Sequence, residues 1–186
     1  MFDWKWDFFW EVLPRLLSAT VNTLIAAGVG YVIALVLGLI LTLAQRTTFN
    51  ILNMIVREFV EFIRSTPLIL QIFFIFYVGP QFGIKMSPWT AGMVAIGLHY
   101  AAYLSEVYRG ALDSVPKGQW EACSALSMKT HDTYFRIIIP QALPSALAGM
   151  GNYLVGIFKD TPMLSVIGVA ELMHTANAIG SENYRF

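Results

Sequence analysis

Charged residues are scarce in this sequence. Asp, Glu, Lys and Arg make up 13% of its 186 residues, whereas about a quarter of an average soluble domain is charged. Hydrophobic residues make up 56%, and the formal net charge is +0. Proteins that bind nucleic acid usually carry an excess of Lys and Arg, so nucleic acid is not expected as a partner. The composition predicts a membrane protein.

Cysteine is almost absent as well. Cys123 is the single cysteine, which excludes a disulfide within the chain and a cysteine-based metal cluster. Neither CxxC nor HExxH spacing occurs. His99, His131 and His174 are scattered, without the serine or paired carboxylates that a membrane enzyme would need beside them. We therefore predict no metal, no cofactor and no catalytic residue.

The N-terminus also lacks the basic and then apolar pattern of a cleavable signal. It reads MFDWKWDFFWEVLPR, which is acidic and aromatic. Trp4, Trp6 and Trp10 suit the headgroup region of a bilayer. The segment is therefore predicted to remain on the chain at the membrane interface.

Long uncharged runs locate the predicted spans. A helix needs about 20 residues to cross a hydrocarbon core of about 30 Å, and four runs reach that length: 16–45, 65–84, 86–105 and 137–158. The next run, 161–170, is too short and is predicted to be re-entrant or interfacial. The sequence thus predicts an all-α membrane protein, a helical bundle with four spans.

The distribution of Lys and Arg predicts the orientation. Seven basic residues fall in the first and third segments between spans, whereas the second segment holds only Lys85. These seven are Arg46, Arg57, Arg64, Arg109, Lys117, Lys129 and Arg136. Because basic residues collect on the cytoplasmic side, the N-terminus is expected outside and the segment from Glu121 to Pro140 in the cytoplasm. Four spans would return the C-terminus to the outside, so we expect a further span beyond it.

Small and charged residues add detail to the first half of the chain. Ala27, Gly28, Gly30 and Gly38 would let helices approach closely in lipid. The segment 57–64 alternates Arg, Glu and Arg at helical spacing. It predicts an amphipathic helix at the inner membrane boundary.

A polar stripe is expected at the end of the third span. His99, Tyr103, Glu106 and Arg109 follow one another at helical spacings of three and four. Ionisable groups at such depth usually have a partner and face the bundle interior or a water-filled path. His99 and Glu106 are therefore candidates for a translocation pathway. A structural ion pair between Glu106 and Arg109 is the alternative.

Lys159 and Asp160 are the second pair of pathway candidates. They follow 22 uncharged residues and precede Pro162, which should interrupt a helix because proline removes a backbone hydrogen bond. Transporters bind polar substrates at broken helices near mid-membrane. Alternatively, Lys159 reaches the outer interface and Asp160 caps the following helix.

The segment PKGQWEACSALSMKTHDTYFRIIIPQALP resembles the cytoplasmic EAA loop of permease subunits of bacterial ABC importers. Glu121 and Ala122 match that motif, Cys123 replaces its second Ala, and Ser127 replaces its Gly. Residues 137–140, Ile-Ile-Ile-Pro, end the motif with Ile in place of Leu. Residues 64–79, 103–119 and 159–172 are similar to the polar amino-acid permease branch, of the histidine and glutamine permease type. LHYAAYLSEVYRG and GQWEACSALS also resemble permeases for ectoine and hydroxyectoine.

The resemblance implies the fold and the partners. It implies one transmembrane domain over residues 1–186, with the MetI-like bundle of ABC importers and a fifth span after a segment such as Asn183–Phe186. It also implies a multi-pass protein of the bacterial inner membrane and an import function powered by ATP. The implied partners are a dimer of cytoplasmic ABC ATPase subunits, a second permease subunit that is identical or paralogous, and an extracytoplasmic substrate-binding protein.

The resemblance further implies that the loop at about 117–140 couples the bundle to the ATPase. The coupling residues would be Glu121, Ala122, Cys123, Ala125, Leu126 and Ser127. We expect a helix that begins near Glu121, where the positive end of the helix dipole favours an acid. Because only glycine enters left-handed conformations without penalty, Ser127 leaves the tight form of the following turn open.

An ATP-independent channel or secondary transporter is the alternative function. It would predict inverted repeats and paired ionisable residues for ion coupling. The sequence shows no such repeat. This alternative also leaves the polar loop unexplained.

Overall fold

The computed structural model describes residues 5–47 and 49–183. Within these ranges the chain forms helices and no β-strand, which confirms the predicted all-α class. The described α-helices are α1 (Trp6–Gln45), α2 (Asn50–Ser65), α3 (Leu68–Phe73), α4 (Pro88–Asp113), α5 (Lys117–Ala125), α6 (Thr130–Asp132), α7 (Ile139–Asp160) and α8 (Leu172–Asn183). Two π-helical segments, Phe74–Val78 and Thr133–Ile138, and two 3₁₀ segments, Gly79–Phe82 and Thr161–Ile167, join them.

Helix α1 begins earlier than the uncharged run predicts. It contains 40 residues, which corresponds to a length of about 60 Å at 1.5 Å per residue. That is about twice the hydrocarbon thickness, so part of α1 extends beyond it. Trp6 and Trp10 are each 63% exposed, as expected for side chains at an interface. Trp4 and residues 184–186, which the sequence analysis also used, lie outside the described residues.

Length and hydropathy identify fewer independent spans than the charge gaps predict. In the described ranges, α1 is the one helix that is long and apolar enough to cross a membrane by itself, and up to three spans result if each bent helix pair is one span. Helix α4 covers the predicted third span and has 26 residues, yet it is not among the helices that length and hydropathy identify as spans. Its central residues, including His99 and Tyr100, are buried in protein. A helix that is surrounded by protein needs fewer strongly apolar residues than one that faces lipid. The absence of charge therefore identifies α4 as a span, whereas its mean hydropathy does not.

The chain divides into two compact units. The described residues of the first unit lie within Met1–Val32, Thr66–Gly97 and Gly156–Phe186. Polar side chains of α1 hold the C-terminal segment in this unit. The Asn22 amide donates to the Ala170 carbonyl at 2.9 Å, and the Thr23 hydroxyl accepts from the Leu172 N–H at 3.0 Å. Arg15 donates to both carboxylate oxygens of Glu182, at 2.8 and 3.2 Å.

The second unit consists of Ile33–Ser65 and Leu98–Val155. One buried cluster lies where α4 and α7 meet and contains Ala111, Val115, Ile138, Ala142 and Ala146. A second cluster joins α2 to α4 through Val60, Ile63 and Ala102. These small and branched side chains bring the helices close together.

Some of the small residues in α1 mark close helix approaches, as predicted. A Cβ added at Gly38 would lie 3.0 Å from the Leu104 Cβ and 3.1 Å from the Ala101 carbonyl oxygen. One turn later, the Thr42 hydroxyl donates to the Ser105 carbonyl at 3.0 Å. Gly28, by contrast, has nothing within 4 Å of that position.

Candidate functional site

Helix α5 presents a continuous exposed face. Glu121, Ala122 and Ala125 are exposed, and Leu126 directly after the helix is 75% exposed. At 100° per residue these four positions fall on one side of a helix. Such an exposed leucine beside two alanines is suited to contact with a partner protein.

The structure corrects the predicted start of this helix and shows where Cys123 lies. The helix begins at Lys117 and has no acid in its first turn, so Glu121 lies one turn inside it. The helix-dipole argument for an acid at the N-terminus does not apply there, because that effect is confined to the first turn. Cys123 is only 4% exposed and points away from the exposed face. A role for Cys123 in coupling would therefore be indirect, through anchoring α5.

Ser127 forms the tight turn that the sequence leaves open. Its φ is 51°, and it is the non-glycine residue with positive φ in the described ranges. The Met128 N–H donates to the Cys123 carbonyl at 3.0 Å, and the Ser127 N–H to the Ser124 carbonyl at 2.9 Å. These two bonds and the left-handed residue make a Schellman motif, which usually contains glycine at this position. The turn therefore has its tight geometry with serine in place of glycine.

Ser127→Gly is expected to stabilise the protein by about 0.5–1 kcal/mol, because it relieves left-handed strain at a smaller entropic cost. Thermal unfolding of the purified chain would measure the change. Ser124→Gly is the matched control, since glycine inside a helix destabilises by about 1 kcal/mol. Equal destabilisation by both substitutions would contradict the left-handed turn.

Trp120 anchors α5 to the second unit. Its ring packs against the cluster of Ala111 and Ile138 and makes an edge contact with the Tyr134 ring at a centroid distance of 5.4 Å. The Arg46 guanidinium lies 5.8 Å from the Trp120 ring centroid. Trp120 thus connects α5 to the end of α1 and to the helix that leads into α7. The sequence analysis did not identify this residue.

The predicted pairing of Glu106 with Arg109 is confirmed. The Arg109 guanidinium donates to both Glu106 carboxylate oxygens, and Arg64 of α2 lies 3.9 Å from the same carboxylate. Glu106 lies one residue past the uncharged run 86–105. The hydrogen bond from Arg109 lowers the pKa of the Glu106 carboxyl, so the ion pair persists at neutral pH.

His99 lies in an aromatic cluster. It is 8% exposed, and its ring centroid is 5.1 Å from that of Tyr103 and 5.4 Å from that of Tyr100. The Tyr103 hydroxyl donates to the Arg64 carbonyl at 3.1 Å, and Tyr153 of α7 contacts both tyrosines. The predicted stripe from His99 to Arg109 therefore exists, and α2 and α7 cover part of it.

The backbone changes at Lys159 and Asp160 as the sequence predicts. Helix α7 ends at Asp160, and the chain continues as a 3₁₀ helix until Gly168, whose φ is 80°. Lys159 is exposed, and Asp160 is half-buried. Among the described residues, Asp160 makes no side-chain capping bond to the 3₁₀ helix, which removes the capping alternative. These two residues belong to the first unit, whereas His99 and Glu106 belong to the second.

Residues 34–185 match the family described as "Binding-protein-dependent transport system inner membrane component". The chain belongs to this family. Membership agrees with the predicted location in an inner membrane and with the prediction that the chain is a transport component rather than an enzyme. In the described ranges, no group of three or more His, Cys, Asp or Glu side chains could hold a metal ion.

Relatives resemble this transport component over nearly its whole length. A probable amino-acid ABC transporter permease of Sinorhizobium fredii is 37% identical, over 100% of this chain and 84% of the relative. The L-cystine permease TcyB of Bacillus subtilis is 36% identical, over 96% of this chain and 76% of the relative. The glutamine permease GlnP of Escherichia coli is 35% identical, over 98% of this chain and 84% of the relative.

Solved structures share the fold of this family member. The crystal structure of an amino acid ABC transporter with histidines has a TM-score of 0.91 and 29% identity, and the match covers 100% of this chain and 86% of that one. An inward-facing MetNI methionine ABC transporter has a TM-score of 0.73 and 20% identity, over 98% of this chain and 86% of that one. At that identity the second match shows the fold alone, and it confirms the predicted MetI-like bundle.

Sequence reasoning missed three residues of this permease-like bundle. Besides Trp120, these are Gln45 and Glu171. Gln45 is 6% exposed, and Glu171 is 1% exposed. The Glu171 carboxylate accepts from the Met173 and His174 N–H groups and so caps α8. An acid directly before a helical segment is a recognisable capping signal, whereas nothing in the sequence distinguishes Gln45.

Proposed function

We propose that the chain is the permease subunit of an ATP-driven ABC importer and moves a polar amino acid, or a solute resembling one, into the cytoplasm. The observation that carries this proposal is helix α5, with its exposed Ala122, Ala125 and Leu126 and its rigid turn at Ser127. A helix of this kind fits a groove in a partner. ATP-driven motion of the partner would reach α4 and α7 through Trp120.

The proposed assembly has four kinds of component. Two permease subunits, identical or paralogous, would enclose the route, because one bundle encloses too little space for a gated path. Two cytoplasmic ATPase subunits would bind the loop at about 117–140, with Glu121, Ala122, Ala125 and Leu126 in contact and Cys123 and Ser127 shaping the segment. An extracytoplasmic binding protein would deliver the substrate. ATP acts by favouring one of two conformations, since only differential binding shifts an equilibrium.

The substrate proposal combines the relatives with the sequence resemblance. The names of two relatives specify glutamine and L-cystine, which supports a polar amino acid as the substrate class. Within that class, ectoine or hydroxyectoine is our specific proposal, supported by LHYAAYLSEVYRG and GQWEACSALS. These solutes carry a carboxylate and a cationic group, as amino acids do.

Uptake into liposomes tests the function. The permease, its ATPase and its binding protein would be reconstituted together, with ATP or ADP inside, and given labelled ectoine, glutamine, histidine and cystine. We expect accumulation of at least one compound with ATP and none with ADP. Equal uptake with both nucleotides would favour the ATP-independent alternative. Calorimetry of the binding protein with the same compounds would identify the preferred one.

Lys159→Ala is expected to reduce uptake more than assembly. Lys159 is exposed at the end of α7 and takes part in no ion pair among the described residues, so its truncation breaks no ion pair among them. Uptake and the amount of complete complex would be measured in the same membranes, with Lys85→Ala as the control. A parallel loss of both would assign Lys159 a structural role.

A further inference from the structure

A polar pocket lies in the second unit beside the Glu106 ion pair. Its volume is about 160 Å³, and its lining residues are Gln45, Arg57, Val60, Glu61, Glu106 and Arg109. We name it the Gln45 pocket. It is formed by the end of α1, one face of α2 and the last turns of α4. A water molecule occupies about 30 Å³ in the liquid, so the pocket has room for a molecule of several heavy atoms.

The side-chain oxygen of Gln45 is a buried acceptor that lacks a hydrogen-bond donor among the described residues. Gln45 is 6% exposed. Rotation of the amide is disfavoured, because it would turn the oxygen instead of the nitrogen towards the Glu106 carboxylate, whose pKa the Gln45 side chain helps to lower. A buried acceptor without a partner is costly. An N–H group inside the pocket would satisfy it.

Arg57 lacks an acidic partner among the described residues. Arg57 lines the pocket, and it belongs to no ion pair within residues 5–47 and 49–183. Arg109, by contrast, is already paired with Glu106 and Asp113. A guanidinium is well suited to bind a carboxylate through two parallel hydrogen bonds. A carboxylate in the pocket would therefore find Arg57 available.

The charges of the pocket balance. Arg57 and Arg109 carry two positive charges, and Glu61 and Glu106 carry two negative ones. An anion or a cation alone would add a net charge to a partly enclosed site. It would provide either a carboxylate for Arg57 or an N–H donor for Gln45, but not both. A molecule with both a carboxylate and an amino group adds no net charge and provides a partner for Arg57 and for Gln45. Glu61, whose one ion-pair partner in the described part of the chain is Arg64 at 3.5 Å, could accept a further bond from the amino group.

We propose that the Gln45 pocket binds a small zwitterion, an amino acid or a solute of the same chemistry, through Arg57 on the carboxylate and Gln45 on the amino group. This proposal rests on the proposed function, because the zwitterion would be the transported molecule. The site would lie on the side of the membrane where the Arg-rich segments lie. Arg57 and Gln45 become specificity-determining residues for transport.

Binding to the assembled transporter tests the proposal. The permease with its ATPase would be placed in lipid nanodiscs without the binding protein, and equilibrium binding of labelled L-glutamine, L-histidine and ectoine would be measured. We expect at least one probe to bind. Arg57→Gln and Gln45→Met should each weaken that binding about tenfold, the loss that corresponds to one charge-assisted hydrogen bond.

Matched controls separate a binding role from a general effect. Lys85→Gln removes one positive charge from the loop before α4, and Gln81→Met removes one amide from the 3₁₀ segment Gly79–Phe82; both residues are exposed and lie outside the pocket. Both should bind the probe as the wild type does. Because Arg57 is exposed, Arg57→Gln should fold even if Gln45→Met does not.

The outcomes distinguish this proposal from the proposed function. If no probe binds the wild type, or if Arg57→Gln binds as tightly as Lys85→Gln, the pocket is not a zwitterion site and holds only water. ATP-dependent uptake, measured in parallel with the binding protein present, could then remain normal, and the proposed function would stand. Absence of uptake by the wild type would instead overturn the proposed function, whatever the pocket binds.

Discussion

Replacing Glu121 by lysine is expected to abolish ATP-dependent uptake while the chain remains in the membrane. Glu121 lies on the exposed face of α5 beside Ala122 and Ala125, where the ATPase is proposed to dock. Reversing a charge inside an interface places like charges together or removes a partner, which costs several kcal/mol. Each 1.4 kcal/mol is a tenfold change in affinity, so association with the ATPase should weaken at least tenfold.

The fold should tolerate Glu121→Lys, because the Glu121 side chain is exposed and has no ion-pair partner among the described residues. Co-purification of the ATPase with the permease and uptake in liposomes would be measured together. Glu11→Lys, a charge reversal at another exposed glutamate, is the matched control and should transport normally. Normal uptake by Glu121→Lys would disprove its place in the interface.

Replacing Gly38 by leucine is expected to cause the second large loss, in the amount of folded protein. The Cβ of the added side chain would lie 3.1 Å from the Ala101 carbonyl oxygen and 3.3 Å from the Ser105 nitrogen. These are backbone atoms of α4, so relief requires the two helices to separate. Separation would also break the bond from the Thr42 hydroxyl to the Ser105 carbonyl.

Overpacking of this kind costs about 1–3 kcal/mol, and losses of about 1–2 kcal/mol can change cellular abundance several-fold. Fluorescence-detected size exclusion of the solubilised protein would report the folded fraction. Gly28→Leu changes the same helix where nothing lies within 4 Å and should leave the folded amount unchanged. If the two variants behaved alike, the close approach of α1 and α4 at Gly38 would be refuted.

The local features of the fold could be predicted from the sequence. The spacing of His99, Tyr103, Glu106 and Arg109 correctly places them along one helix, because residues three and four apart are neighbours on a helix. The end of α7 before Pro162 is correct for a similar reason, since proline lacks the N–H that the helix needs. Both features depend only on residues close together in the chain.

The features that depend on distant contacts could not be predicted. The left-handed turn at Ser127 opposes the ordinary preference of serine, and the helix that it ends is anchored by the packed Trp120 and the buried Cys123. The position of Trp120 itself follows from contacts with Ile138 and Arg46. The importance of Gln45 became visible only when the structure placed its amide beside Glu106 and Arg57.

We propose that α5 docks into the ATPase, and photo-crosslinking from the exposed end of α5 tests this docking. A benzophenone amino acid would replace Leu126, which is 75% exposed, in the complete transporter in membranes. Leu70, which is 57% exposed in α3, would carry the same group as the control. We predict a covalent adduct with the ATPase subunit from position 126 and none from position 70. Absence of an ATPase adduct from position 126, in complexes that still contain the ATPase, would show that α5 does not dock there.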